Sequence, residues 1–284
     1  MKRRTTMKLN NLFVALAAVV PLTLAAGAAH AGALTVKGSD TMVVLGQRWA
    51  EDYMKKHAET SVQVTGGGSG TGISALINGT TDVCQASRAM KPTEQDKVRE
   101  KYGANSVEIP VAKDGLAVYV NAANPLTEIT MAQLKGIFTG KIQNWKELGG
   151  PDKRIIIYSR ENSSGTYVFF KEHVLEGADY AARAQTMPGT ASVVNAVAKE
   201  KFGIGYGGAA FAKGIKVLKV KKDAASPAVM PDKKTVLDGS YALSRPLFFY
   251  VRAKPAGEVK SFIDWVLSAE GQAIAAQVGY YPIK

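Results

Sequence analysis

Ser159-Arg160-Glu161-Asn162-Ser163-Ser164-Gly165-Thr166 follows an apolar run, Arg154 to Tyr158, and leads into a segment with helical spacing. The passage reads as a strand ending in a turn of small hydrogen-bonding residues at a helix N-terminus. There, unpaired N–H groups and the positive end of the macrodipole favour an anion. Two earlier stretches repeat the arrangement. Val36-Lys37-Gly38-Ser39-Asp40-Thr41 and Gly66-Gly67-Gly68-Ser69-Gly70-Thr71-Gly72 each sit between a short β-branched run and an amphipathic segment. One Gly-Ser turn of this kind is commonly structural. Three in series, converging on one point, would hold a small oxyanion.

The N-terminus carries Lys2, Arg3, Arg4 and Lys8 ahead of an apolar run from Leu12 to Ala26, then Ala29-His30-Ala31. This is the pattern of a cleavable secretory signal peptide over residues 1–31, and the apolar run is too short to be a stable membrane span. The only cysteine, Cys84, is far from the processing region. The expectation is therefore a protein free in a periplasm and not a lipoprotein. Cleavage removes four basic and no acidic side chains, lowering the formal charge from +12 to +8. Residues 123–243 hold 17 Lys/Arg against 11 Asp/Glu, a positive half that favours anionic ligands through long-range steering. Nucleic acid is disfavoured as a partner, because the lysines are scattered and no aromatic-interleaved basic stripe occurs.

Short β-branched runs alternate with helical patterns, the signature of an α/β architecture. Leu34 to Lys37 and Ser61 to Thr65 read as strands. Leu45, Trp49 and Tyr53 share one helix face, as do Ile73, Leu76 and Ile77. Val107 to Asn121 is a long extended segment, and Gly203 to Gly207 a close-packed buried strand. Tyr167 to Leu175 and the stretch around Val259, Phe262, Ile263 and Val266 read as helices. With no loose linker, two ordered crossings are expected, near Asn121 to Pro125 and near Leu243 to Pro246. They divide the chain into a discontinuous domain I (residues 32–122 and 244–284) and a domain II (residues 123–243).

The motifs together resemble those of the phosphate-binding periplasmic proteins, the substrate-binding components of high-affinity phosphate ABC importers. The resemblance spans nearly all of the chain beyond the signal peptide. It rests on Lys37 to Thr41, Gly66 to Gly72, Asp82 to Arg88 with Lys91, Asp114 to Val118, and Leu134 to Lys141 with Asn144-Trp145. It continues through Ser159 to Thr166, Gly203 to Gly207 and Leu243 to Leu247. It implies a type II periplasmic-binding-protein fold, in which two α/β domains joined by a two-segment hinge close over a dehydrated anion. It further implies a monomer that binds inorganic phosphate without cofactor or metal and serves an inner-membrane permease and its ATPase. The matching ligand positions are Thr41, the Met42 N–H, Ser69, Arg160, Ser164, Gly165 and Thr166. Ser39, Asp40, Arg88 and Ser163 are candidates for the surrounding shell.

One position departs from the family pattern. The best-known members carry a carboxylate after an Ala-Ser pair, where it accepts the proton of hydrogen phosphate and repels sulfate. Here Ala86-Ser87 is followed by Arg88. Either Arg88 joins the cleft as a second cation or it turns aside to pair with an acid, and Asp40 and Asp114 are candidate substitute acceptors. The same fold with sulfate, molybdate, tungstate or a phosphonate as ligand is the first alternative. A secreted phosphatase is the second, and it is disfavoured. Beyond residue 31 the only histidines are His57 and His173, and there is no Gly-x-Ser-x-Gly elbow and no metal-ligand cluster. Both histidines read as helix C-terminal cations. Cys84 reads as a small buried side chain, and Trp145 and Trp265 read as core residues.

Overall fold

The computed structural model describes residues 1 and 33–283. The expected signal peptide, Met1 apart, lies outside the described residues. The chain runs β1 (Leu34–Gly38), α1 (Val43–Lys56), β2 (Val62–Thr65), α2 (Ser69–Asn78), β3 (Val83–Ala86), α3 (Pro92–Tyr102) and the long β4 (Val107–Val120). Next come β5 (Glu128–Thr130), α4 (Met131–Phe138), β6 (Ile156–Arg160), α5 (Gly165–His173), β7 (Gln185–Met187), α6 (Gly189–Lys199) and β8 (Gly203–Gly208). It ends with β9 (Lys216–Lys221), α7 (Lys233–Leu237), β10 (Ser244–Val251), α8 (Gly257–Val266) and α9 (Ala269–Val278). This is the α/β architecture that the alternating pattern implied. No helix among the described residues is long and apolar enough to cross a membrane.

The strands follow the order β2-β1-β3-β10-β4-β8-β6-β7, with β9 also on β4 and β5 on β9. Strand β1 is parallel to β2 and β3, and β6 is parallel to β7 and β8. Parallel neighbours joined through helices put strand C-termini and helix N-termini at the same edge, which is where such sheets bind ligands. Strand β10 runs antiparallel to both β3 and β4. Within β4 the partner changes abruptly: Gly115 is opposite Ser244 of β10, whereas Leu116 is opposite Gly208 of β8. Beside this switch the Leu116 N–H donates to the Leu243 carbonyl at 2.9 Å.

Two large apolar cores flank the switch. One packs α1, α8 and α9 around Trp49, Tyr53, Phe249 and Phe262. The other gathers Phe138, Trp145, Phe170, Tyr206 and Leu218. Leu45, Trp49 and Tyr53 are all buried on α1, as their four-residue spacing requires. Trp145 is fully buried and its indole N–H donates to the Phe202 carbonyl at 2.9 Å.

One strand is longer at its C-terminal end than its sequence implied. The apolar run ends at Tyr158, yet β6 continues through Ser159 and Arg160, which pair with Thr186 and Met187 of β7. A neighbouring backbone, supplied by a three-residue strand with no periodic signal, extends the ladder past the apolar run. Helix α5 in turn starts at Gly165 rather than Tyr167.

Candidate functional site

Each of the three small-residue turns ends at a helix. Thr41 and Met42 precede α1, Gly68 precedes α2, and Ser164 caps α5, its hydroxyl accepting from the Tyr167 N–H at 3.3 Å. The first turn of a helix has no intrahelical acceptor for its N–H groups, so the amides of Gly165 and Thr166 present donors at this edge.

The turns meet. Thr41 Oγ1 lies 2.9 Å from Thr166 Oγ1, two hydroxyls 125 residues apart and both buried. Ser69 Oγ accepts from the Ser87 N–H at 3.0 Å and lies 3.4 Å from Ser87 Oγ, to which Ser39 Oγ donates at 2.9 Å. A β-carbon at Gly165 would sit 2.3 Å from Ser69 Oγ and 2.7 Å from Ser87 Oγ, so only glycine lets α5 approach this closely. Gly68 has φ +92 and a β-carbon there would collide with the Ser163 carbonyl, so the second turn also requires glycine. Five side-chain hydroxyls thus share a small buried volume with the N-terminus of α5.

The expected residues do not all act as expected. Thr41, Ser69, Gly165 and Thr166 are brought together. Met42 is not: its N–H donates to the Ser39 carbonyl at 2.9 Å, closing the turn on itself. Ser39 contributes through Ser87. Ser163 supplies an acceptor rather than a donor, its carbonyl taking the Gly70 N–H at 2.8 Å and tying the second turn to the third.

Arg160 is 1% exposed and nearly saturated with partners. It donates to Asp40 Oδ2 at 2.9 Å, to Thr190 Oγ1 at 2.8 Å, and to Glu161 at 3.0 and 3.2 Å. Burial pushes the Glu161 carboxyl up, but Arg160 and the Gly189 N–H outweigh it and leave it below the usual carboxylate range. Asp40 holds Arg160 with one oxygen and the Gly67 N–H, at 2.8 Å, with the other. Arg88 turns aside: its guanidinium forms a two-pronged pair with Glu94 at 2.7 and 2.8 Å. Burial pushes the Glu94 carboxyl up; the bonds from Arg88 and from the Lys91 N–H more than reverse it, and it titrates below its ordinary value.

Three site residues were not singled out from the sequence. Ser87 and Arg245 both stand within motifs of the family resemblance, whereas Thr190 carries no signal at all. Arg245 is 2% exposed and pairs with Asp114 through Nε and Nη2, at 3.0 and 2.8 Å. Burial pushes the Asp114 carboxyl up, opposed by Arg245 and by the backbone N–H groups of Ala209 and Gly115. Both candidate substitute acceptors, Asp40 and Asp114, are therefore already bonded to guanidinium groups.

Residues 23–270 match the PBP superfamily domain. The chain is similar to the phosphate-binding protein PstS of Pseudomonas aeruginosa, 34% identical over 89% of this chain and 83% of that protein. The PstS of Staphylococcus epidermidis is 37% identical over 88% and 78%. Among solved structures, a candidate phosphate ABC transporter substrate-binding protein from Clostridium perfringens, with bound phosphate, superposes with a TM-score of 0.81 at 31% identity. It covers 89% of this chain and 100% of its own. An ABC-type phosphate transport receptor from Vibrio cholerae gives 0.71 at 30% identity, over 87% and 99%.

Proposed function

The chain belongs to the PstS family of phosphate-binding proteins, and from that membership we propose that it captures inorganic phosphate between its two sheet halves for an ABC importer. It is a binding protein rather than an enzyme. The observation that carries this reading is the 2.9 Å approach of Thr41 and Thr166, which brings hydroxyls from the β1–β3 side and the β6–β8 side to one buried point. Dehydrating a multiply charged oxyanion is costly, and hydroxyls, first-turn amides and a guanidinium supply the directed donors that offset it. Thr41, Ser69, Ser164, Gly165, Thr166 and Arg160 are the groups assigned to phosphate, with Ser39 and Asp40 behind them.

Two lobes follow from the partner switch in β4. The crossings proposed here are Gly115/Leu116 and Leu243/Ser244, a reading supported by the change of strand partner, with the first upstream of the 121–125 stretch to which the sequence points. Phosphate then draws the lobes together by hinge motion. Export to the periplasm as an unanchored monomer, and delivery to an inner-membrane permease with its ATPase, complete the reading. It is supported by the signal-like N-terminus and by the phosphate transport described for the relatives.

Calorimetric titration of ligand-free protein with phosphate, sulfate, molybdate and tungstate tests the assignment. Phosphate is expected to bind at micromolar or tighter affinity, about 8 kcal/mol, and the other anions far more weakly. Arg160→Lys is expected to lose about tenfold or more in phosphate affinity, because a lysine cannot reproduce the fork. Equal affinity for sulfate would displace phosphate as the named ligand, and an unchanged Lys variant would remove Arg160 from the site.

A further inference from the structure

Arg245 and Asp114 face one another across the β4–β10 ladder, one residue from the point where β4 exchanges partners. The guanidinium has four anchors. Nε and Nη2 donate to Asp114 Oδ2, Nη1 donates to the Ser87 carbonyl at 3.1 Å, and the plane stands over the Phe169 ring at 5.2 Å. With these fixed, Nη2 reaches Thr166 Oγ1 at 3.1 Å.

That last bond has only one polarity. A guanidinium has no acceptor, so Thr166 Oγ1 must accept from it, and the single hydrogen of the hydroxyl is then free to point elsewhere. The same oxygen faces Thr41 Oγ1 in the hydroxyl cluster. An oxyanion wants donors, and an unconstrained threonine presents a lone pair as readily as a hydrogen.

We propose that Arg245, held by Asp114, is a positioning residue that fixes the Thr166 hydroxyl as a donor toward bound phosphate. It acts through Thr166 and not as a direct ligand. Because Asp114 and Arg245 sit beside the partner switch in β4 while Ser87 follows β3 and Thr166 follows β6, the same group orients the donor and links the two halves of the strand order. The inference rests on the phosphate reading of the site.

A double-mutant cycle separates this role from a merely structural one. Phosphate affinity is measured for wild type, Thr166→Val, Arg245→Lys and the double variant. Lysine keeps a buried charge opposite Asp114, but its single nitrogen cannot serve Asp114, Ser87 and Thr166 together. A second cycle replaces the pair with Asp114→Leu and Arg245→Met, a substitution that buried ion pairs often tolerate, so a folded variant is in hand if the lysine form melts early. Removing Arg245 is expected to weaken phosphate about tenfold when Thr166 is present and less than about twofold when valine replaces it, the non-additivity of groups acting through one another. An equal loss in both backgrounds, or no loss in either, overturns the proposal. Absence of phosphate binding by the wild type would instead overturn the functional reading beneath it.

Discussion

Arg88 shows how one side chain can be removed from a site by an acid six residues away. Its fork is filled by Glu94, the residue that also accepts the Lys91 N–H at the start of α3. Glu94 is held in its charged form, with a carboxyl depressed below its unfolded value of about 4.3. The stabilisation is therefore present above that value and is lost as the pH falls through the lower folded one. Glu94→Gln should melt below wild type at pH 7, and the gap should be smaller at pH 3. Thermal melts at the two pH values check this, and a gap of the same size at both would contradict it. The choice between Arg88 entering the cleft and turning aside is not decided by the sequence, because Glu94 stands there among other nearby acids, Asp96 and Glu100, with nothing to mark it as the partner. Arg245 was hidden for a different reason: its partner Asp114 lies 131 residues earlier and meets it only through strand pairing.

At the level of elements, the three turns were legible because each couples a β-branched run to small polar residues and then to helical spacing. Their exact ends were less so. Short β7 and the Met42 turn are decided by backbone partners rather than by their own side chains. The close approach of α5 to α2 makes a specific demand on Gly165. Gly165→Ala must displace Ser69 and Ser87 or push α5 outward, since its methyl would fall 2.3 Å from Ser69 Oγ. Overpacking of this kind costs about 1–3 kcal/mol. The variant should melt a few degrees lower, by about 2–4 °C per kcal/mol for a domain of this size. It should also bind phosphate more weakly in the same calorimetric titration, and a variant matching wild type in both would show that the helix N-terminus is not packed against the serines.

For the whole molecule, the alternation of strands and helices is enough to identify the architecture, whereas no linker in the sequence marks a break between domains. The Leu243 carbonyl accepts from the Leu116 N–H beside the partner change in β4, at the start of the stretch from Leu243 to Pro246. The change of partner at Gly115 is not legible in the sequence, because β4 is a single uninterrupted extended run and the switch leaves no mark in composition. A hinge there predicts that phosphate reduces the radius of gyration in small-angle scattering, whereas sulfate at the same concentration does not. An identical radius with and without phosphate would argue against lobe closure. The most direct measurement is the position of phosphate in a crystal structure of the complex. One anion is expected within about 2.7–3.1 Å of the Thr41, Ser69 and Thr166 hydroxyls, the α5 amides and the Arg160 guanidinium. Phosphate found elsewhere, for instance in the cleft between Lys91 and His173, would contradict it.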